Sequence, residues 1–356
     1  MPSSQNFCPD WISAPGDTIS DILAERGISP SEFAQRMEHT PDQASDLLQG
    51  RAAITIRIAR QLEQVLGASV EFWMSRDFQY RQVIARPRAD EEWLNELPVG
   101  DMIKFGWLRP VPHPSEEMAA CLRFFDVPSV PAWRQAYADL QNVVALRTSP
   151  SFESRPAAVA AWLRQGEIES AAIECSPWDP RRFQETLSGI RSLTREKDPS
   201  RFLPKLKQLC AIGGVAVAVV RAPNGCRASG ATRFLTRNKA LLLLSFRYLS
   251  DDQFWFTFFH EAGHLLLHGE SGFFLEGLDM PSTTAEQEAN DFAAHTLVPS
   301  EFQRPLLNLP LSGREVIRFA RRLGISPGLV VGQLQYHKRI KQNQLNRLKR
   351  RFAWNH

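Results

Sequence analysis

The pattern of apolar and polar positions divides the chain into three stretches of different character, and each predicts a different organisation. From Gly16 to about Arg81 it is the pattern of short, capped helices. Thr18 to Arg26 is amphipathic and stops at Gly27. Ser29-Pro30-Ser31-Glu32 has the form of a capping box with proline in the first helical turn, and it opens a helix at Phe33 to Met37. Thr40-Pro41-Asp42-Gln43 repeats the device and opens Ala44 to Gln49, closed by Gly50. Ile56, Ala59, Leu62, Val65 and Leu66 then recur at helical spacing up to Gly67, which predicts a packing helix. Two short capped helices across a tight turn predict a helix–turn–helix over residues 16–81.

Residues 82–200 are less regular. Pro87, Pro98, Pro110, Pro112 and Pro114 break up the first part, and helical patterns recur at Glu116 to Phe125, Ala132 to Leu140, Ala157 to Gly166 and Pro180 to Leu193. Trp107, Trp133, Trp162 and Trp178 are expected to anchor a core or an interface. This stretch is expected to be a mainly helical linker with no chemistry of its own.

Over residues 201–335 the period changes again. A helical pattern at Phe202 to Leu209 is followed by the unbroken apolar run Val215 to Val220, a turn at Pro223-Asn224-Gly225, and a second strand at Ala240 to Phe246. A small sheet of this kind suits an extended peptide added along its edge. The expected class is therefore mainly α with a small α+β part. It comprises an N-terminal helix–turn–helix bundle, a helical linker and a C-terminal domain with a small sheet.

The chemistry lies in the apolar helix that follows, Phe254 to His268, which contains His260-Glu261-Ala262-Gly263-His264. Histidines four residues apart stand on one helical face and can share a single Zn²⁺, with Glu261 beside the open coordination position as a general base. The ordinary alternative is a core helix whose histidines are merely hydrogen-bonded, but two histidines and a glutamate in so apolar a helix are costly without a role. Ser250 and Gln253 match a capping box at its start, and Gly269 a stop.

The third ligand sets the subtype. His268 lies about 12 Å along the helix from His260, too far to share the metal. The longer metzincin pattern is absent. In the next helical pattern Ala289, Phe292, Ala293, Thr296 and Leu297 form the buried stripe, Glu286 falls within it, and Glu288 and Asp291 point away. Glu286 is the favoured ligand; its alternative role is to supply negative charge at the helix start. Asn290, one turn on, is placed to orient a ligating histidine. Arg233, Tyr248 and His268 are the candidates for oxyanion stabilisation.

Three blocks carry a resemblance: Ala228 to Arg233, Phe254 to Gly269, and Glu286 to Pro299. Together they resemble the ImmA/IrrE family of zinc metallopeptidases, gluzincin-like enzymes of which several cleave helix–turn–helix repressors. The family's ExxAN…FA…P signature falls on Glu286, Ala289, Asn290, Phe292, Ala293 and Pro299. The resemblance implies a zinc endopeptidase with His260, His264 and Glu286 as ligands, and a repressor or antitoxin-like protein as substrate. The N-terminal unit is similar to the Cro/repressor-like domain of HigA-type antitoxins, through Pro15 to Thr18, Leu48 to Arg51 and Ala68 to Trp73. In such a unit the second helix enters the major groove. Gln43, Ser45 and Gln49 would then face bases, and Arg51 and Arg57 would hold phosphates. Asp42 and Asp46 depart from that use, since acids repel the backbone. A bundle for dimerisation or protein recognition is the alternative.

Composition narrows the setting. With 356 residues, 43% apolar, 23% charged and formal net charge +3, the chain reads as two or three globular domains. There is no run of eighteen uncharged apolar residues and no signal-peptide pattern at Met1 to Asn6. The five cysteines, Cys8, Cys121, Cys175, Cys210 and Cys226, form an odd set without CxxC, as expected for free thiols in a reducing cytoplasm. From Val316 onward the chain is basic without an acid, and residues 336–356 are expected to be a basic tail that contacts DNA, docks an acidic partner or is a solvated helix face.

Two functions follow. The first is a cytoplasmic zinc endopeptidase acting on a helix–turn–helix repressor, with DNA as a second partner. The second is a DNA-binding regulator or antitoxin whose zinc domain senses without turnover. A homodimer is compatible with either.

Overall fold

In the computed structural model, residues 13–138, 140, 154–269, 274–276 and 284–354 are described. Cys8 lies outside them. The chain separates into two compact units, divided between Trp93 and Leu94.

The first unit holds α1 (Pro15–Glu25), α2 (Pro30–Arg36), α3 (Pro41–Leu48), α4 (Ile56–Leu66) and most of α5 (Val70–Glu96). Its caps are largely those the sequence spells out. At Thr40 both halves of the box form: the hydroxyl accepts from Gln43 N–H, and Gln43 Oε1 accepts from Thr40 N–H at 3.0 Å. At Ser29 only half forms, because Glu32 turns to pair with Arg36 at 2.6 Å. Ile19, Leu23, Phe33, Met37, Ala44, Leu47, Ala59 and Leu62 close over Trp73. Ile56 is not part of this core; it begins α4 and stays exposed. Gly16 has a steric reason: a β-carbon there would stand 1.9 Å from the Leu48 carbonyl oxygen, so α1 crosses α3 only with glycine at the contact.

The second unit begins with α6 (Val99–Lys104), α7 (Pro114–Phe125) and α8 (Val130–Ala136), then α9 (Pro156–Ala171), α10 (Pro180–Leu193) and α11 (Pro199–Ile212). The sheet is built from β1 (Val215–Val219), β2 (Gly230–Thr236), β3 (Lys239–Leu244) and β4 (Phe274–Glu276), in spatial order β1-β3-β2-β4. β1 runs parallel to β3, and β2 antiparallel to both β3 and β4. Next in the chain come α12 (Asp251–His268), which precedes β4, and α13 (Thr284–Leu297), α14 (Ser300–Leu307), α15 (Gly313–Leu323) and α16 (Pro327–Tyr336).

The unbroken apolar runs of β1 and β3 follow from a sheet covered on both faces. Leu242 and Leu244 join the core that includes Phe254, Trp255, Phe258 and Phe259 of α12. Leu243 faces the other way, onto Gly166 of α9, where a β-carbon would meet its side chain at 2.6 Å. Residues 156–200, read from the sequence as part of a linker, are thus structural members of this unit: α9 covers one face, and Phe183, Leu187 and Ile190 join Phe202 and Leu206 of α11 in the core on α12's side. β2 and β4 were not anticipated as strands.

The C-terminal segment also differs from the expected tail. Phe352 packs on Phe202, Phe246 and Phe254, and Trp354 packs on Phe246. Lys349 Nζ pairs with the buried Asp252 at 2.6 Å and donates to Gln335 Oε1 at 2.6 Å. Arg350 N–H donates to Asp251 Oδ1 at 2.9 Å, while its guanidinium donates to the carbonyls of Thr194 and Glu196. Ser250 is the N-cap of α12 but makes no side-chain capping bond. It forms an isolated bridge with Arg351, so the far end of the chain, rather than a local box, covers the start of this helix. No described helix is long and apolar enough to cross a membrane. Cys121, Cys175, Cys210 and Cys226 are free thiols, and burial pushes Cys121 and Cys226 up to about 12.

Candidate metal centre

Helix α12 carries His260, Glu261 and His264 into the interior, where each is at most 1% exposed. The i, i+4 spacing puts the two imidazoles on one face, with their Nε2 atoms 3.0 Å apart. That face looks onto α13. Glu286, in the first turn of α13, places one carboxylate oxygen 3.2 Å from His260 Nε2 and the other 3.6 Å from His264 Nε2. Donor atoms of His260, His264 and Glu286 all lie within 4.8 Å of one another, a two-nitrogen, one-oxygen set of the kind that holds a divalent cation.

Small residues make this convergence feasible. A β-carbon on Gly263 would lie 3.1 Å from the Phe292 ring and 3.2 Å from the Ala289 α-carbon. Glycine on α12 opposite alanine on α13 lets the helices approach closely enough for Glu286 to reach both histidines. On the other side, Gly230 opens β2 directly against Glu261: a β-carbon there would sit 2.6 Å from Glu261 Oε1 and 2.6 Å from Thr257 Cγ2. The Glu261 carboxylate is thus held between its own helix and the sheet.

A further set of partners steadies the rings. Asn290 Oδ1 is 3.1 Å from His260 Nδ1, which directs Nε2 of that ring towards Glu286. His264 Nδ1 lies 3.3 Å from His268 Nδ1, and His268 Nε2 lies 2.9 Å from Glu288 Oε2. His268 therefore stands behind a ring of the centre. Its i+4 spacing from His264 was the available signal, and Glu288, read as pointing away, completes the chain. Of the two other oxyanion candidates, Arg233 pairs with Glu167, and Tyr248 lies at the surface under the Arg247 guanidinium.

Burial pushes the His264 imidazole below its ordinary 6.5, only partly offset by Glu286. Burial acts to raise Glu286, but the hydrogen bonds and charge of His260 and His264 outweigh it and hold this carboxyl at about 2. Both groups therefore favour the forms that bind a cation: a neutral imidazole and an ionised carboxylate.

The remaining sequence candidates stand together at the surface of the first unit. Gln43, Ser45 and Gln49 lie on or at the end of α3, Arg51 follows it, and Arg57 is exposed in the first turn of α4. Several have local partners. Gln43 caps α3, Gln49 donates to Ser45 Oγ at 3.1 Å, and Arg51 pairs with Asp46 at 2.7 Å.

Comparison with known proteins agrees with both regions. Residues 216–334 match the model of a peptidase family described as the IrrE N-terminal-like domain. The N-terminal region is similar to YddM, an uncharacterized HTH-type transcriptional regulator of Escherichia coli (strain K12). The two are 37% identical over 83 residues, 23% of this chain and 88% of that protein.

Proposed function

We propose that this chain, whose residues 216–334 match the IrrE N-terminal-like peptidase domain and whose N-terminal region is similar to an HTH-type regulator, is a zinc endopeptidase that cleaves a transcriptional repressor or antitoxin-like protein. The observation that carries this reading is the meeting of His260, His264 and Glu286 beside the buried carboxylate of Glu261. A pure metal sensor needs the first three residues and has no use for the fourth.

In this reading His260, His264 and Glu286 hold the ion, and their two imidazoles and one carboxylate favour zinc. Zn²⁺ there would supply Lewis acidity towards a water molecule and the scissile carbonyl. Glu261 takes a proton from the attacking water and returns it to the leaving amine nitrogen. Gly230 and Thr257 restrict where that carboxylate can lie. Asn290 and the Glu288–His268 pair hold the ligand rings in register, acting through His260 and His264.

The helix–turn–helix unit supplies a second contact, with DNA, through Gln43, Ser45, Gln49, Arg51 and Arg57. Binding requires Gln43, Gln49 and Arg51 to exchange their present local partners for bases and phosphates. The enzyme is thereby brought to the promoter at which its repressor substrate sits.

Co-expression of helix–turn–helix proteins encoded beside this one tests the proposal, with the wild type and Glu261→Gln compared side by side. A discrete fragment produced only by the wild type is the expected result. Intact bands with both, from zinc-loaded protein that still binds its own promoter region, would instead make the chain a DNA-binding regulator whose metal domain does not turn over.

A further inference from the structure

On the second unit, away from the metal centre, the turn after α10, helix α15 and the C-terminal segment line an open cavity of about 430 Å³. Its lining carries Arg195 and Lys197 from the turn after α10, Arg321 from α15, and Arg347, Lys349 and Arg350 from the C-terminal segment. No carboxylate is among the lining residues. Lys349 and Arg350 are committed inward, to Asp252 and to the carbonyls of Thr194 and Glu196. Arg195, Lys197, Arg321 and Arg347 are exposed and form no ion pair among the described residues. Four uncompensated cations around one hollow repel each other and raise its potential well above that of an open surface. The rest of the lining is apolar, with Ile317, Ala320, Ile325 and Leu348.

We propose that this cavity binds a phosphorylated small molecule, with its phosphates on Arg195, Lys197, Arg321 and Arg347 and its apolar portion against Ile317, Ile325 and Leu348. The volume lies in the range of small-molecule sites, which combine apolar walls with a few convergent polar groups. Guanidinium forks match phosphate oxygens in pairs. A duplex presents its phosphates on a convex surface and cannot enter a hollow of this size, so the concave shape favours a free ligand over nucleic acid. The cavity's position also matters. Lys349 and Arg350, which line it, are the residues that hold Asp252 and Asp251 at the start of α12, so an occupant abuts the segment that anchors the metal helix. The proposal stands whether or not the chain is a peptidase.

Calorimetric titration of the full chain with ATP and with inorganic pyrophosphate, at physiological salt, tests this site. Saturable one-to-one binding is expected, weakened at least tenfold by Arg321→Ala with Arg347→Ala, and by Arg195→Ala with Lys197→Ala. Thermal melts should match the wild type for both pairs, which separates loss of a ligand site from loss of the fold. Absence of saturable binding by either probe overturns the proposal, as does wild-type affinity in both double variants. So does a duplex oligonucleotide that binds through these same residues and is not displaced by ATP, which would assign the patch to nucleic acid.

Discussion

Gly263 on α12 faces Ala289 on α13 so closely that a β-carbon at position 263 would stand 3.2 Å from the Ala289 α-carbon. The neighbour is backbone and cannot swing aside. Gly263→Val should therefore push α13 outward and draw Glu286 from the two histidines. Overpacking of this kind costs about 1–3 kcal/mol. The expected result is a lower melting temperature and zinc affinity reduced at least about tenfold, read by chelator competition. Unchanged zinc affinity would show that Glu286 does not depend on this contact.

Gly230 makes the corresponding contact with Glu261. The β-carbon of Gly230→Ala would meet Glu261 Oε1 at 2.6 Å, and the carboxylate, at 0% exposure, has no open space to enter. Metal content should be retained, while turnover falls on the order of 100-fold, as expected when a reacting group is displaced by about an ångström. Metal analysis alongside a cleavage assay separates the two readouts.

Asn290 acts through His260. Asn290→Ala removes the partner of Nδ1 and should weaken zinc binding by about 10- to 100-fold without unfolding the domain. Asn290→Asp, which keeps an acceptor at the same place, should restore most of it. Equal losses in both variants would mean that the amide serves packing rather than ring orientation.

The pH dependence follows from His264. Its folded value is lowered by burial, so the neutral ring is favoured in the folded state. The resulting contribution to stability is fully present above the ordinary value of 6.5 and is lost as pH falls through the lowered value. Zinc affinity should accordingly be flat at neutral pH and break only below 6.5. Metal titrations over about pH 5–8 span the range in which a histidine of this kind changes charge, and a break above 6.5 would contradict the assignment.

Lys349 and Asp252 form an ion pair whose side chains are 11% and 3% exposed. Lys349→Met strands the carboxylate at the start of α12 and should cost about 3 kcal/mol, measured by denaturant unfolding. Adding Asp252→Asn should recover much of the loss. A tail that merely trailed in solvent would show neither effect.

How much of this was legible in the sequence depended on the range of the interaction. His260 and His264 meet because they are four residues apart in one helix, and Glu286 and Asn290 share a face of α13 for the same reason. Helical periodicity is a local property, so spacing alone brought out the donor set and the ring-orienting amide. The capped helices of the first unit were legible on the same grounds, since each cap lies within three residues of what it caps. Tertiary structure decided everything that depended on which distant segment fills a given space. Gly230 meets Glu261 from a strand too weakly patterned to be read as one. Residues 156–200, helical by pattern, cover the sheet rather than link domains, because the apolar run of β3 must be buried on both faces. The start of α12 illustrates the difference. Ser250 and Gln253 promised a local box, yet Arg350 and Arg351, about a hundred residues away, satisfy that helix end instead. Unpaired backbone and carboxylate groups must find partners wherever the fold provides them, and hydrophobic periodicity carries no information about which partner that will be.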